Sequence, residues 1–460
     1  MTSLFRWMSG RPNAPSLLPA VASLLLVAIF LAGCAGVTVP GYPSGGQAVA
    51  PPPLPPPPEA TPPPQEAPPL PPAPAGLVPL APGEKAMLGL LLPLSGPNAS
   101  LGQGMLDAAQ MALFDIPNNR VALLPRDTRG TAEGAAAAAR DALDHGARLL
   151  IGPLTAPEVE AVKPVAAERG VSVLAFSTAA GLAGSGTYLM GLLASEEVRR
   201  VVGFAHQKGV QRYAVLAPGS AYGQVVVEAL KTAAQAEQVS LAQTVFFDPN
   251  SVDLAPSVRE LAKYDSRKAA LDQQRKQLAN AHDPASQEAL KRLNESQGAG
   301  DAGFDAVLLP EGGQQLKMLA PLLPQYGIDP AKVHYLGTGL WDSDPALATE
   351  PELDGAWYAA PDPTGRGDFE KKFSALYGHP PPRLATLAYD ATALAAALSR
   401  GPQGADFSPD ALTNQNGFVG LDGIFRLRAD GRVERGLAVI EIHRAGNAVV
   451  SPEPQSFSGF

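Results

Sequence analysis

The chain has 460 residues, a formal net charge of -9 with a pI near 5.3, 17% charged and 45% hydrophobic residues, and a single cysteine. The acidic balance gives no electrostatic basis for binding nucleic acid. One cysteine excludes an intrachain disulfide framework and argues against a Cys-based metal site.

In chain order, residues 1–34 read as a signal segment. Arg6 and Arg11 make a basic start, Leu17 to Leu31 an apolar core, and Leu31-Ala32-Gly33-Cys34 the end. That ending resembles the lipobox of bacterial lipoproteins, cleaved before a cysteine whose thiol takes the lipid. The resemblance makes Cys34 the lipidation site. Ala35 rather than Asp after it implies the outer membrane, facing the periplasm. The sequence has no second apolar stretch long enough to span a bilayer, so the expected membrane attachment is by lipid alone. Residues 35–83 read as a disordered tether. Pro40 to Pro82 hold 19 of the 48 prolines, too few apolar side chains to build a core. In extended polyproline II geometry the tether would reach roughly 150 Å.

From Glu84 on, the chain is long enough for two α/β lobes. Leu88–Leu92 is a short apolar run that predicts a buried strand. It breaks at Pro93 and passes through the loop Ser95-Gly96-Pro97. A helix follows with Leu101, Met105, Ala108 and Ala112 on one face, and Ser100 with Gln103 reads as its capping box. Three more strand–helix units follow, with strands at Val121–Leu124, Arg148–Ile151 and Val171–Ala175. Their loops are Arg126-Asp127-Thr128, Gly152-Pro153-Leu154-Thr155 and Phe176-Ser177-Thr178-Ala179-Ala180. Alternating strands and helices imply a parallel sheet with right-handed crossovers, whose loops emerge on one edge.

Residues 187–361 repeat the scheme. A helix near Ser195–Lys208 leads to strands at Arg212–Leu216, Leu241–Phe247, Asp305–Leu309 and Val333–Leu336. Their loops carry Tyr222-Gly223, Glu311-Gly312 and Gly337-Thr338-Gly339-Leu340-Trp341-Asp342. Tyr264 to Gly303 breaks the pattern. It is charged, and it predicts one or two exposed helices broken at Asp283-Pro284, either a solvated insertion or a docking surface. The expected fold is α/β, two doubly wound parallel-sheet lobes hinged around a cleft. Lobe 1 takes residues 84–194 and 362–435. Lobe 2 takes 195–361 and 436–450, with the insertion at 265–303, and 451–460 is a tail.

The stretches LLLPLSGPNASLGQGMLDAAQMAL, LIGPLT, VLAFSTAA, VLAPGSAYGQVVVEALK and FVGLDGIFRLRADGRV occur in this order. Asp430-Gly431 in the last is a hairpin turn signal. From about Met87 to Ile442 they resemble the type 1 periplasmic binding proteins, in their Leu/Ile/Val-binding branch. Lipobox, Pro-rich tether and this domain together resemble the penicillin-binding protein activators, lipoproteins that stimulate peptidoglycan synthases. The best-known of these also carry a helical-repeat N-terminal domain that this sequence does not contain.

The resemblance implies a ligand cleft. Ser95 and Gly96 form one wall. Thr155, Ser177, Thr178 and Ala179 stand where amino-acid receptors hold the ligand carboxylate, although Thr155 with Glu158 also makes a plain capping box. Tyr222 and Trp341 would close the cleft from lobe 2, with core packing as the alternative. The receptors place an acid for the ligand's ammonium in the loop matching Gly337 to Leu340, which here has none; Asp342 and Glu311 are the nearby candidates. Chemistry is not indicated. The six histidines show no ligand spacing, and there is no nucleophile elbow, Walker loop or dinucleotide fingerprint. No cofactor, metal or catalytic residue is therefore expected. Two functions stay open: a lipoprotein that regulates peptidoglycan synthesis by binding a peptidoglycan synthase, or the solute receptor of an importer for a small polar ligand such as an amino acid.

Overall fold

Leu88, Leu90, Leu91 and Leu92 are fully buried because the strand that holds them is covered on both faces, the usual state of a parallel sheet. The structure, a computed structural model, describes residues 84–457 apart from 118, 282, 296–299 and 403. The expected signal segment 1–34, the tether 35–83 and the last three residues lie outside the described residues.

The first half runs β1 (Ala86–Leu92), α1 (Ala99–Asp115), β2 (Val121–Asp127), α2 (Ala132–Asp144), β3 (Ala147–Ile151), α3 (Ala156–Glu168), β4 (Ser172–Ala175) and β5 (Thr187–Leu189). The strands form one sheet in the order β2-β1-β3-β4-β5, every neighbouring pair parallel. The loops after β1 to β4 therefore share its carboxyl edge.

The chain then crosses to a second sheet through α4 (Ala194–Gln207), β6 (Arg212–Pro218), α5 (Ala221–Ala236), β7 (Ser240–Phe247) and α6 (Ala255–Leu261). The hairpin α7 (Tyr264–Asn280) and α8 (Pro284–Glu295) comes next. It is followed by β8 (Ala306–Leu308), α9 (Gly313–Leu319), α10 (Leu322–Gln325), β9 (His334–Gly337) and β10 (Trp357–Ala360). The chain returns to the first lobe with α11 (Pro363–Tyr377), α12 (Ala385–Leu398), α13 (Pro409–Leu412) and the antiparallel strands β11 (Phe418–Gly420), β12 (Gly423–Leu427) and β13 (Val433–Arg435). It ends in the second lobe with β14 (Ala438–Glu441), antiparallel to β10, and β15 (Ala448–Ser451), antiparallel to β14, which make that sheet mixed in the order β15-β14-β10-β9-β8-β6-β7.

The second sheet separates two cores by the alternation of its side chains. Ala214, Leu216, Val307, Tyr335, Tyr358 and Ile440 pack on one side with α6, α9 and α10. Tyr213, Val215, Ala217, Leu308, Trp357 and Val439 pack on the other with α4 and α5. In the first lobe, α1 lies on α12 and α2 on α3. Leu387, Ala391, Phe425 and Val433 join the core of β1 to β4, so the returning segment completes that lobe.

Four features differ from the sequence reading or sharpen it. The Ser100–Gln103 capping box does not form. Gly96 turns the chain at φ 80° and the helix starts at Ala99, with Asn98 at its cap and Gln103 donating to Asp107 instead (2.8 Å). A side chain at Gly102 would place Cβ 2.1 Å from the Pro93 carbonyl oxygen, so glycine lets the first turn of α1 sit on the end of its strand. The insertion does form two helices, and α7 buries no residue. Asp283 caps α8 by accepting from Ser286 N (2.9 Å) and Oγ (2.6 Å), with Pro284 at the first helical position. The tail folds back: Phe457 is buried, with Arg426 over its ring at 4.6 Å.

The fourth difference concerns Trp341, expected at the cleft. It lies in a 3₁₀ turn (Gly339–Ser343), is 1% exposed and belongs to the lobe 2 core. Its ring covers Gly337, where a Cβ would fall 2.2 Å from the indole, and its Nε1 donates to the Glu311 carbonyl (2.8 Å). A core tryptophan has a large stability signature. Trp341→Ala should cost about 3–5 kcal/mol in urea unfolding; a cost near that of a surface substitution would return Trp341 to the cleft.

Candidate functional site

Loops at the carboxyl ends of parallel strands are where open α/β folds bind ligands. On the lobe 1 side, the donors of these loops are occupied by carboxylates of the chain itself. Asp127, at the end of β2, accepts from Leu94 N (2.9 Å), Ser95 N (3.2 Å), Ser95 Oγ (2.6 Å) and Arg129 N (2.8 Å). Burial alone would raise the Asp127 pKa, but the Ser95 hydroxyl and the three N–H groups hold it below the ordinary value. Ser95 and Gly96 remain exposed. At the start of α3, Glu158 Oε2 accepts from Thr155 N (2.9 Å) and Thr155 Oγ1 (2.7 Å). The capping box expected at Thr155 thus forms, and it engages the hydroxyl. Glu158 is itself 1% exposed, and its Oε1 has no hydrogen-bond partner among the described residues. Ser177 is buried and accepts from Ala179 N (3.2 Å), while Thr178 is exposed and Ala179 half-buried.

On the lobe 2 side the structure gathers a tighter cluster. Tyr222, in the first turn of α5, shares a 2.8 Å hydrogen bond between its hydroxyl and Thr338 Oγ1. Thr338 is fully buried, and Gly339 N donates to Glu197 Oε2 (2.9 Å). Burial, and next to it the Glu197 charge, push the Tyr222 phenol up. Glu311, the other acid expected here, is half-buried and accepts from Gly312 N (3.1 Å); burial raises its pKa.

Glu197 was not legible as a site residue. It sits in the first turn of α4, where an acid suits the helix dipole anyway. Burial pushes its carboxyl up to about 7, against the opposing pull of the Gly339 N–H and Arg383. Its partner loop is the Gly337–Leu340 segment, which carries no acid of its own. The acid at that wall comes from a helix 142 residues earlier.

Asp342, the remaining candidate, faces the other lobe. Arg366 Nη1 (2.5 Å) and Arg383 Nε (3.1 Å) both donate to its Oδ2, and its side chain is 6% exposed. Arg383 continues to Asp422 at 3.1 Å, and Thr386 Oγ1 donates to Asp422 Oδ2 (2.7 Å). Behind them Arg435 lies 3.8 Å from Asp390 and donates to the Met190 carbonyl (3.0 Å). Among the described residues no cluster of His, Cys, Asp and Glu could hold a metal ion, and no helix is long and apolar enough to cross a membrane.

A family model described as periplasmic binding protein matches residues 86–267. No curated protein matches the chain. Among solved structures, the chain is similar to a protein assigned to branched-chain amino acid ABC transport from Rhodospirillum rubrum, at 18% identity and TM-score 0.63 over 80% of this chain and 100% of that one. It is similar also to a branched-chain amino acid ABC transporter periplasmic ligand-binding protein from Burkholderia xenovorans LB400, at 17% identity and TM-score 0.57 over 81% and 96%. A third is an ABC transporter solute-binding protein from Rhodopseudomonas palustris BisB5 in complex with 3,4-dihydroxybenzoic acid, at 13% identity and TM-score 0.53 over 80% and 99%.

The raised Glu197 pKa has a sign. Between the ordinary glutamate range and about pH 7, the folded chain holds a proton that the unfolded chain releases, so this group's contribution to stability falls as pH rises through that window. Glu197→Gln keeps an acceptor for Gly339 and removes the ionisation. It should stabilise the chain by up to about 3 kcal/mol at pH 8 and by much less at pH 5. Urea unfolding at the two pH values decides; an equal effect at both would show that Glu197 ionises normally. With its sheets, crossovers and loop edges in place, the fold is the two-lobed α/β fold of the type 1 periplasmic binding proteins.

Proposed function

We propose that the chain is a non-catalytic binding protein of the cell envelope, lipid-anchored through Cys34 and facing the periplasm, whose interlobe cleft takes a small polar ligand. One observation carries this: the Tyr222–Thr338–Gly339–Glu197 cluster lies at the carboxyl edge of one parallel sheet, and the adjoining Asp342 reaches across to the other lobe. The similar solved structures support it, being described as ABC transporter proteins and, in one case, bound to an aromatic carboxylic acid. In this reading Glu197 supplies a fixed negative or protonatable group, Tyr222 a hydroxyl, and the Ser177–Ala179 turn short polar contacts from lobe 1. Ser95, Gly96, Thr155, Thr178 and Glu311 line the approach.

A second reading has a specific observation behind it. Asp127, Glu158 and Glu197 already fill the donor groups that an anionic ligand would need, and α7 of the α7–α8 hairpin buries no residue. Both features suit a regulator that works by contact with a protein, as in the activators of peptidoglycan synthases, more than a receptor that captures solute. The long tether suits an outer-membrane address.

Calorimetry of the full chain with branched-chain amino acids and aromatic carboxylates tests the first reading. Saturable binding is expected, weakened about tenfold by Ser177→Ala and by Tyr222→Phe, each of which removes one hydrogen bond. Absence of binding across the panel sinks it. The second reading then stands or falls on recovery of a peptidoglycan synthase by the chain, and on loss of that recovery when residues 265–303 are deleted.

A further inference from the structure

We propose that Arg366, Asp342 and Arg383 form a latch that holds the two lobes closed in the absence of any ligand. The two arginines belong to lobe 1. Arg366 is on α11, whose Phe369 and Phe373 pack with Ala108 and Met111 of α1, and Tyr377 of the same helix donates to the Asp107 carbonyl (2.9 Å). Arg383 precedes α12, which lies along α1. Asp342 belongs to lobe 2, one residue after the core tryptophan and on the turn that follows β9. The ion pairs therefore run from one lobe to the other.

The latch can break cleanly. The hydrogen bonds and ion pairs of the Asp342 side chain recorded among the described residues all come from the opposite lobe. Each arginine keeps a carboxylate of its own lobe, Glu370 at 3.3 Å for Arg366 and Asp422 at 3.1 Å for Arg383. Opening thus costs the two contacts to Asp342 and leaves no guanidinium without a counter-charge, while Asp342 gains water. That is the arrangement of a switch with two allowed positions rather than of a permanent strut. Its placement on the Thr338–Ser343 turn ties closure to the cleft. The turn is fixed on its own side by Tyr222, Glu197 and the Trp341 ring, so whatever moves Asp342 also moves the cluster.

Small-angle X-ray scattering of the ligand-free full chain, with the tether common to every variant, gives the first readout. The wild type should scatter as the closed form, and Asp342→Asn and Arg366→Gln should each increase the radius of gyration. Hydrogen–deuterium exchange gives the second. Peptides covering Thr338–Ser343 should exchange faster by roughly tenfold or more, including in Arg366→Gln, where the change lies on the other lobe, while peptides of β1 exchange as in the wild type. A wild type already as expanded as its variants overturns the latch. So do variants that stay as compact as the wild type with β1 unchanged. Arg366→Gln leaves Asp342 with Arg383, so it keeps the test readable should Asp342→Asn fail to fold. No ligand enters the experiment, and its outcome is separate from that of the binding panel.

Discussion

From the junction of the lobes into lobe 1, three arginines and three aspartates alternate: Arg366, Asp342, Arg383, Asp422, Arg435, Asp390, with Arg435 donating to the Asp422 backbone carbonyl. Asp422, Asp390 and Arg435 are almost fully buried. Isolated charges there would carry a prohibitive desolvation cost, so each is tolerable only with its neighbours in place. Burial and the Asp422 charge raise the Asp390 carboxyl, and Arg435 with the N–H groups of Leu421 and Asp422 limits the rise. Through Met190, Arg435 also holds one of the segments by which the chain passes between the sheets. Removing Asp390, Asp422 or Arg435 would leave a buried charge short of its partner, so these three depend on one another as a set.

Around this axis the two lobes solve the same packing problem. In α1, α2 and α5 a glycine of the first turn or turns rests on a carbonyl oxygen near the end of the preceding strand, at Pro93, Thr128 and Pro218. A Cβ at Gly102, Gly134 or Gly223 would come within 2.1, 2.2 and 2.0 Å of that oxygen. The close seat sets where the loop between strand and helix can travel, and so where its N–H groups point. Those groups then need acceptors. Asp127 supplies them for the loops before α1 and α2, while elsewhere on these edges Glu158 serves the start of α3 and Glu197, on α4, serves Gly339 after β9.

The strands and helices were legible because both signals are local. A continuous apolar run such as Leu88–Leu92 reads as a strand covered twice, and the step of three and four from Leu101 to Ala112 reads as a helix. The break at Asp283-Pro284 was equally plain, since proline cannot continue a helix but suits the first position of a new one. The capping box at Ser100 failed because the turn at Gly96 starts the helix one residue before Ser100. Trp341 and Glu197 were beyond the sequence for a different reason. An aromatic in a loop looks the same whether it faces ligand or core, and here Gly337 beneath it decides. An acid in a first helical turn looks like a dipole partner, and only contact with a loop 142 residues away makes it a buried group.

The α7–α8 hairpin is attached rather than embedded. Arg267 reaches the Ala262 carbonyl (2.8 Å) and the Gly300 carbonyl at its base, while Leu271, Leu278, Leu290 and Leu293 are only half-buried. Because α7 buries no residue and meets the core at Tyr264, in its first turn, its outer face is free of the demands that fix the rest of the sequence. A lineage can rewrite that face residue by residue and keep the same lobes. The scaffold can thus stay constant while the surface it presents is exchanged.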